Sequence, residues 1–265
     1  MKLLKNPISK IKEDAGLVSI FRSIGCVGDS LSSGEHEKKI NGKTYWNDYY
    51  EYSWGQFIAR KCSSTVYNFS TGGMTAYEFL TSFGDSVGVK TKEKTCQCYI
   101  IALGVNDITN LRNKSDMYQE MGSFKTAISN DYQENLKTFL GCYLNIIRDI
   151  RNLAPESKIF VVTPPKCVLD EKDRSNLYDK FASELNYLPN LLPSIYVIDL
   201  RKYAPNYNKK FLEKYFNESH MNAMGYKFTA DMIATYVNYL IDKNYKDFKE
   251  VAYINREKGD RPSED

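Results

Sequence analysis

The pattern of apolar and polar residues along the chain predicts a sheet of five strands. Five short runs, rich in β-branched and aromatic side chains, are each followed by a turn or loop signal, as buried strands usually are. The runs lie at residues 23–28, 65–69, 98–103, 158–163 and 195–200. They are spread over most of the chain, so the sheet is expected to organise the whole protein.

The segments between these runs carry apolar residues at the spacing of amphipathic helices. The most regular stripe extends over residues 136–150, where apolar side chains recur every three or four positions. Further stripes lie at residues 54–62, 177–188 and 228–241. Strands that alternate with helices are typical of α/β proteins, in which helices cover both faces of a parallel sheet.

Two segments fall outside this alternation. Residues 108–130 are rich in Asn, Ser, Lys and Met and predict a long irregular insertion, which in an α/β core is usually functional or mobile. The chain becomes charged after Lys243, and its last residues, EKGDRPSED, are expected to be disordered. We therefore predict one domain over residues 1–245, with its core at 23–242, and a charged tail at 246–265.

Composition and charge exclude several classes of protein. The 265 residues include 36 basic and 33 acidic side chains, and a net charge of +3 is too small to predict nucleic-acid binding. The charged N-terminal twenty residues do not resemble a signal peptide, and no apolar run reaches the ~20 residues that span a bilayer. The six cysteines show no zinc-binding spacing, and we expect them to be reduced. These features predict a cytoplasmic protein without a membrane partner.

Candidate chemistry collects in four polar segments, three of them directly after a predicted strand. They are GDSL at residues 28–31, NFSTGGMT at 68–75, GVND at 104–107 and, ahead of the last helix, NESHMN at 217–222. The carboxyl ends of parallel strands meet at one edge of the sheet, where open α/β folds bind their ligands. We expect the four segments to converge there.

Each segment taken alone also has a purely structural interpretation. Ser30 is suited to cap a helix, and Asn106 followed by Asp107 is a common turn. The glycine pair at 72–73 is by itself a flexible loop, and His220 by itself merely precedes a helix. A purely structural explanation requires all four of these interpretations to be correct at once, for segments that also occur in a catalytic order. The catalytic interpretation is therefore favoured.

Only two histidines are present, which narrows the search for a base that would activate Ser30. His220 lies in the fourth segment, where it is expected to reach the sheet edge. His36 lies six residues after Ser30 in a polar stretch at 32–37, and we interpret it as a surface or substrate-rim residue. His220 is therefore the candidate base.

The four segments, in this order and spacing, resemble the blocks of the SGNH (GDSL-type) hydrolase family of esterases, lipases and acyl hydrolases, over roughly residues 23–240. The resemblance implies a three-layer α/β/α sandwich with a five-stranded parallel sheet in flavodoxin-like order. It also implies hydrolysis of a carboxylic ester through an acyl-serine intermediate, without a metal or an organic cofactor.

The resemblance assigns roles to four residues. Ser30 is the nucleophile, and His220 takes its proton and later gives it to the leaving group. The oxyanion hole consists of the backbone N–H groups of Ser30 and Gly73 and the side-chain amide of Asn106. Gly73 is preferred to its neighbour at position 72 because it stands five residues after the asparagine of its segment, as in the family.

One position departs from the family pattern. The family usually has an aspartate three residues before the histidine, which orients the imidazole, but this chain has Asn217 there. An amide does not compensate the charge of an imidazolium, and in a serine protease the same change costs ~10⁴ in turnover. Three outcomes are open: Glu218 supplies the acid, a backbone carbonyl orients His220 in a Ser–His dyad, or the enzyme is slow or degenerate.

Aromatic residues point to the substrate class. The chain holds 21 tyrosines, and an aromatic segment, TYWNDYYEYSW at residues 44–54, follows the nucleophile segment. Flat rings with polar tips suit sugar or aryl groups, so a small-molecule or carbohydrate ester, such as an acetylated sugar, is the leading substrate. A lipid-like acyl chain is less favoured because no long apolar stripe is free to line a tunnel. Two other functions stay open: an acyltransferase on the same scaffold, and a binding protein on a retired hydrolase scaffold.

Overall fold

The structure is a computed structural model that describes residues 6–11, 16–125 and 131–255. All five strands that the sequence predicts are confirmed, and a hairpin of two further strands is added. The strands of the described residues are β1 (Ser23–Gly28), β2 (Glu35–Ile40), β3 (Lys43–Asp48), β4 (Thr65–Ser70), β5 (Cys98–Ala102), β6 (Lys158–Val162) and β7 (Ile195–Ile198).

The central sheet places the candidate segments at its carboxyl edge. Its five strands are parallel and follow the order β4-β1-β5-β6-β7, which is the flavodoxin-like order that the sequence predicts. Gly28, the last residue of β1, pairs with Ser70 of β4 and with Ala102 of β5. The loops that follow these three strands therefore leave the sheet side by side and at the same level.

Helices surround this sheet, and the four predicted stripes are confirmed in α2, α7, α8 and α11. The α-helices are α1 (Ser30–Ser33), α2 (Trp54–Cys62), α3 (Ala76–Glu78), α4 (Gly84–Ser86), α5 (Val105–Arg112), α6 (Tyr132–Asn135), α7 (Phe139–Leu153), α8 (Lys172–Tyr187), α9 (Leu200–Tyr203), α10 (Lys209–Tyr215) and α11 (Ala223–Lys243). Helix α7 begins later than its apolar stripe because Thr138 caps it, its hydroxyl accepting a hydrogen bond from the backbone N–H of Gly141 at 3.0 Å.

Two apolar clusters, one on each face of the sheet, give the fold three layers. Ile100 and Ile101 are neighbours on β5 and point to opposite faces, so they belong to different clusters. The cluster of Ile100 contains Trp54 of α2 and much of α11. The cluster of Ile101 contains Tyr143 of α7 and Phe181 of α8. The predicted α/β/α sandwich is thereby confirmed.

Strands β2 and β3 form an antiparallel hairpin outside the central sheet, which the sequence analysis did not predict. The hairpin turns at Asn41 and Gly42, whose φ angles are 49° and 79°. An Asn-Gly pair with both φ angles positive is the usual two-residue hairpin turn. This dipeptide is a local signal for the hairpin, although the highly charged sequence of β2, EHEKKI, lacks the apolar residues of a typical strand.

The polar stretch predicted to be irregular over residues 108–130 is partly helical. Its first residues belong to α5, where Ile108 is fully buried and anchors the helix. Irregular chain is described from residue 113 to residue 125, and residues 126–130 lie outside the described part. The insertion is therefore shorter than the composition indicates.

The domain also continues past the boundary expected at residue 245. Two short 3₁₀ turns follow α11 and bring Phe248 and Val251 into the core. The side-chain amide of Gln97 donates a hydrogen bond to the backbone oxygen of Val251 at 3.0 Å. The first part of the expected tail thus packs on the domain, whereas residues 256–265 lie outside the described residues.

The structure also bears on the state of the cysteines, on metal binding and on membrane-spanning helices. All six cysteines are free thiols, and five of them are buried. No group of three or more His, Cys, Asp or Glu side chains in the described part of the chain is arranged to hold a metal ion. None of the helices at residues 16–125 and 131–255 combines the length and the hydropathy needed to cross a membrane.

Candidate active site

The turn after β1 places Ser30 at the carboxyl edge of the sheet, as the first residue of α1. Asp29 caps this short helix, since its Oδ1 accepts a hydrogen bond from the backbone N–H of Leu31 at 3.0 Å. Asp29 is buried, whereas Ser30 is only half-buried. The serine is therefore held on a fixed turn and remains accessible.

Gly73 lies in the loop after β4, and Asn106 lies in the first turn of α5, directly after β5. The side-chain amide of Asn106 donates a hydrogen bond to the backbone oxygen of Met74 at 3.1 Å. Gly73 has a φ of +72°, which favours glycine, and no atom lies within 4 Å of the place its β-carbon would take. The backbone at Gly73 therefore borders open space beside Asn106.

Buried carboxyl groups support both of these regions. Asp107 of α5 is connected to the start of α3, because its Oδ1 accepts hydrogen bonds from the backbone N–H of Ala76 at 2.9 Å and from the hydroxyl of Tyr118 at 2.5 Å. Burial raises the pKa of Asp107 to about 6 and the pKa of Asp29 to about 7. Both keep one carboxyl oxygen without a hydrogen-bond partner among the described residues. Ionising either group therefore costs folding free energy.

The ring of His220 lies between two carboxylates of β2. Its Nδ1 is 3.2 Å from Oε2 of Glu37 and 2.9 Å from the hydroxyl of Ser219. Its Nε2 is 3.1 Å from Oε1 of Glu35. Both ring nitrogens are engaged, so the orientation of the ring is fixed from two sides.

Glu35 and Glu37 reach the same ring because they are two positions apart on β2, so their side chains point to the same face of the strand. Burial raises the pKa of Glu35 against the opposing influence of His220, and the charges of Asp48 and Glu37 add to the rise. Burial acts to raise the pKa of Glu37 as well, but hydrogen bonds from Ser219 and His220 outweigh it and lower the pKa. Glu37 is therefore the carboxylate that its surroundings keep ionised.

Ser30 and His220 come to the same edge, yet the hydrogen bonds of the described residues include none between them. Tyr226 links the Ser30 turn to β2, since its hydroxyl donates to the backbone oxygen of Glu35 at 2.6 Å and lies 3.3 Å from the backbone oxygen of Ser30. The carboxylate of Glu35 packs so closely on Gly72 that a β-carbon there would overlap it. Glu35 thus lies between the imidazole and the glycine loop.

The two residues that the sequence offered as a third triad member take other positions. Asn217 is exposed, and its side-chain amide donates to the backbone oxygen of Glu37 at 3.2 Å. The backbone N–H of Asn217 donates to the backbone oxygen of His220 at 2.9 Å. Glu218 is also exposed. Within the described part of the chain, the carboxylate beside Nδ1 belongs to Glu37, which sequence reasoning missed together with its hairpin.

His36, the other histidine, packs among aromatic residues. Its Nδ1 is 2.9 Å from the backbone oxygen of Gly34. Its ring lies 5.3 to 5.6 Å, centroid to centroid, from Tyr49, Tyr52 and Tyr226. His36, which the sequence predicts at the surface or the substrate rim, is half-buried, lines the open groove along the hairpin and helps to fix the hairpin to α11.

Two cavities border these residues. An open groove of about 830 Å³ follows the hairpin, and Tyr45, Asn47 and Tyr49 are among its lining residues. A smaller cavity of about 90 Å³ lies beside the Ser30 turn, with Leu31 and Met221 among its mostly apolar lining. The larger space is therefore aromatic and polar, and the smaller one is apolar.

Solved structures similar to this chain include esterases. A family two carbohydrate esterase from Clostridium thermocellum, in complex with cellohexaose, is 15% identical with a TM-score of 0.56, and the match covers 85% of this chain and 65% of that one. A carbohydrate esterase family 2 enzyme from Corynascus thermopiles is 14% identical with a TM-score of 0.53, covering 83% and 66%. A possible lipase from Chitinophaga pinensis is 18% identical with a TM-score of 0.53, covering 83% and 98%. At these identities the likeness concerns the fold.

The sequence itself matches a known family. No curated protein matches the chain. The family model of GDSL-like lipases and acylhydrolases, however, matches residues 24–233, which include all four polar segments. The protein therefore belongs to the GDSL-like lipase/acylhydrolase family and is a carboxylic ester hydrolase.

Proposed function

We propose that the protein cleaves its ester through a covalent acyl-serine on Ser30, with His220 as the general base. The observation that carries this proposal is the meeting of the candidate segments at one edge. The loops after β1, β4 and β5 leave the sheet side by side, and the loop before α11 brings His220 to the strand that follows the Ser30 turn. A nucleophile, a base and oxyanion donors are thus available within one small region.

In the proposed reaction, Oγ of Ser30 attacks the carbonyl carbon of the ester while Nε2 of His220 accepts the hydroxyl proton. The carbonyl oxygen becomes an oxyanion, which the N–H groups of Ser30 and Gly73 and the side-chain amide of Asn106 stabilise. Donors arranged in advance contribute roughly 3–4 kcal/mol each. His220 then protonates the leaving alcohol, and water repeats the attack to release the acid.

The geometry of Asn106 is compatible with this role. A side-chain amide carries two N–H groups. One of them is used in the hydrogen bond to Met74 at 3.1 Å, which fixes the direction of the amide. The second is left to donate to an oxyanion next to Gly73.

The proposed reaction requires Glu35 to move. Its carboxylate contacts Nε2 of His220, the atom that must face Ser30, and it also covers Gly72. The Glu35 side chain is 14% exposed, so a rotation toward solvent is open to it. We infer that an incoming ester displaces this carboxylate and that the Ser30–His220 hydrogen bond then forms.

We propose a carbohydrate ester, such as an acetylated sugar, as the substrate. The groove along the hairpin includes Glu37, which contacts His220, and offers the rings of Tyr45 and Tyr49 and the amide of Asn47. Aromatic faces pack on the apolar faces of sugars, and amides bond their hydroxyl groups. The carbohydrate esterases among the structural neighbours add support, because they have a similar fold and one of them is in complex with cellohexaose.

A panel of esters tests both parts of the proposal. We expect release of acetate from acetylated xylo- or cello-oligosaccharides with a kcat/KM at least about tenfold above that for p-nitrophenyl octanoate. Preference for the octanoate would remove the carbohydrate assignment and leave the chemistry intact. A serine-reactive phosphonate should label Ser30, as read by mass spectrometry. Labelling of another residue instead would show that Ser30 is not the nucleophile. No labelling together with no turnover of any ester would indicate a retired scaffold, and product formed only with an added alcohol would indicate an acyltransferase.

A further inference from the structure

We infer that Glu37 is the positioning acid of this site: from the hairpin, it orients His220 through Nδ1 in place of an acid next to the histidine in sequence. The inference deepens the proposed function and rests on it for the catalytic step. It names a residue 183 positions away from the histidine along the chain.

The contacts of Glu37 are those of a fixed, ionised carboxylate. Oε2 accepts a hydrogen bond from the backbone N–H of Ser219 at 2.9 Å and from its hydroxyl at 2.5 Å. The same oxygen is 3.2 Å from Nδ1 of His220, and the residue is 8% exposed. A buried carboxylate with this many donors is held in one place and attracts the proton of the imidazole to Nδ1.

The roles of the two carboxylates follow from the ring nitrogens that they contact. Glu35 faces Nε2, which must exchange a proton with Ser30 and the leaving group, so its contact has to break during the reaction. Glu37 faces Nδ1, which takes no part in that exchange, so its contact can persist. Of the two carboxylates, Glu37 is therefore the one in position to keep the neutral ring in the tautomer that leaves Nε2 free to accept a proton.

Asn217 supports this arrangement from the position where the family usually has its acid. Its side-chain amide donates to the backbone oxygen of Glu37, and its backbone N–H donates to the backbone oxygen of His220. The asparagine thus holds the strand that carries the carboxylate against the loop that carries the histidine. An aspartate would lose the first of these donors and would add a charge near Glu37.

The decisive variant is Glu37→Gln, which keeps the size of the side chain and removes its charge. We expect kcat on p-nitrophenyl acetate to fall by about 10²–10⁴, with KM changed less than about threefold, because the loss concerns the transition state. Glu218→Gln is the matched control, an exposed glutamate two residues before His220, and should stay within about twofold of wild type. Glu37→Asp, which keeps the charge, should recover part of the loss.

A second measurement does not depend on turnover. The chain has only two histidines, so ¹⁵N NMR resolves the tautomer of each ring, with His36 as an internal control. We expect the neutral His220 to carry its proton on Nδ1 in wild type and to shift toward Nε2 in Glu37→Gln, while His36 and the melting temperature are unchanged. An unchanged His220 tautomer, or a kcat within about twofold of wild type, would overturn the inference. If wild type and variants turn over no ester but the tautomer shifts, the proposed function fails and the orienting role of Glu37 stands.

Discussion

The carboxyl edge of the sheet and the β2–β3 hairpin contribute to the same site in different ways. Five of the six residues of β1 are buried, so the turn that carries Ser30 is fixed by the core on both faces of the sheet. Five of the six residues of β3 are exposed, and the hairpin is held by the aromatic cluster around His36 and by hydrogen bonds to the His220 loop. Topology therefore positions the serine, whereas a few side-chain contacts position the carboxylates. Contacts of the second kind are easier to break and to exchange.

A second contrast lies within the hairpin, between the two glutamates of β2. Glu35 and Glu37 approach one imidazole from the same strand, but the pKa of Glu35 is raised and that of Glu37 is lowered. Burial is the largest single influence on both pKa values, but at Glu37 the hydrogen bonds from Ser219 and His220 together outweigh it. One glutamate can thus block Nε2 while the other orients the ring through Nδ1.

The largest expected effect concerns the sheet edge. Ser30→Ala should lower turnover by about 10⁴ or more, and so should His220→Ala, because the two act as one unit. The double variant should be no worse than either single one. The measurement is kcat on p-nitrophenyl acetate, with circular dichroism to confirm folding. His36→Ala supplies the contrast from the hairpin and should stay within a few-fold; a loss as large as that of His220→Ala would make His36 the base.

The next effect concerns the oxyanion donors. Asn106→Ala should lower kcat by about 10²–10³ with little change in KM, since the amide bonds the oxyanion more strongly than the ground-state carbonyl. Steady-state kinetics on a short ester separate the two parameters. An effect on KM alone would make Asn106 a substrate-binding residue.

A smaller effect is expected in the groove of the hairpin. Tyr45→Ala should raise KM for an acetylated oligosaccharide by about three- to tenfold and leave p-nitrophenyl acetate unaffected, because only the larger substrate reaches the ring. Tyr45 is 48% exposed, so the change should not disturb the fold. Equal effects on both substrates would contradict a sugar-binding groove.

Glu35→Ala should act in the opposite direction and weakly. Truncating the side chain removes the group that contacts Nε2 and frees the base, and we expect kcat/KM on p-nitrophenyl acetate to rise by up to about threefold. A loss comparable to that of Glu37→Gln would show that the two carboxylates do not have separate roles, one blocking Nε2 and the other orienting the ring. The pair of variants, assayed side by side, sharpens the comparison within the hairpin.

The smallest effect on turnover, with a clear effect on stability, is expected for Asp29→Asn. The folded-state pKa of Asp29, about 7, lies above the value near 3.9 of an unfolded chain, so the folded protein binds the extra proton between these pH values. The contribution of Asp29 to stability is therefore lost as pH rises from about 4 to about 7. Asn cannot ionise and still offers an oxygen to the N–H of Leu31, so the variant should gain melting temperature relative to wild type between pH 5 and pH 8. A constant difference across this range would contradict the buried-carboxyl argument.

The sequence by itself determined the central sheet, its four main helices and the order of the polar segments. The strands are short apolar runs and the helices follow a period of three to four residues, and both patterns are local. The segment that turns at Asn41 and Gly42 also carried a local signal, which the charges of β2 concealed. The burial of Phe248 and Val251, by contrast, has no local signal, because the 3₁₀ turns that carry them are too short to show a period.

Only the tertiary structure decided what surrounds His220. The sequence directed attention to Asn217 and Glu218 because they are close to His220 along the chain, but side chains two or three positions from a histidine on a turn point in directions that the turn sets. Glu37 reaches Nδ1 across 183 residues, since the order of the strands places the hairpin after β1 beside the loop before α11. A contact of that kind leaves no periodicity and no spacing in the sequence, because it depends on where two distant segments meet in the folded chain.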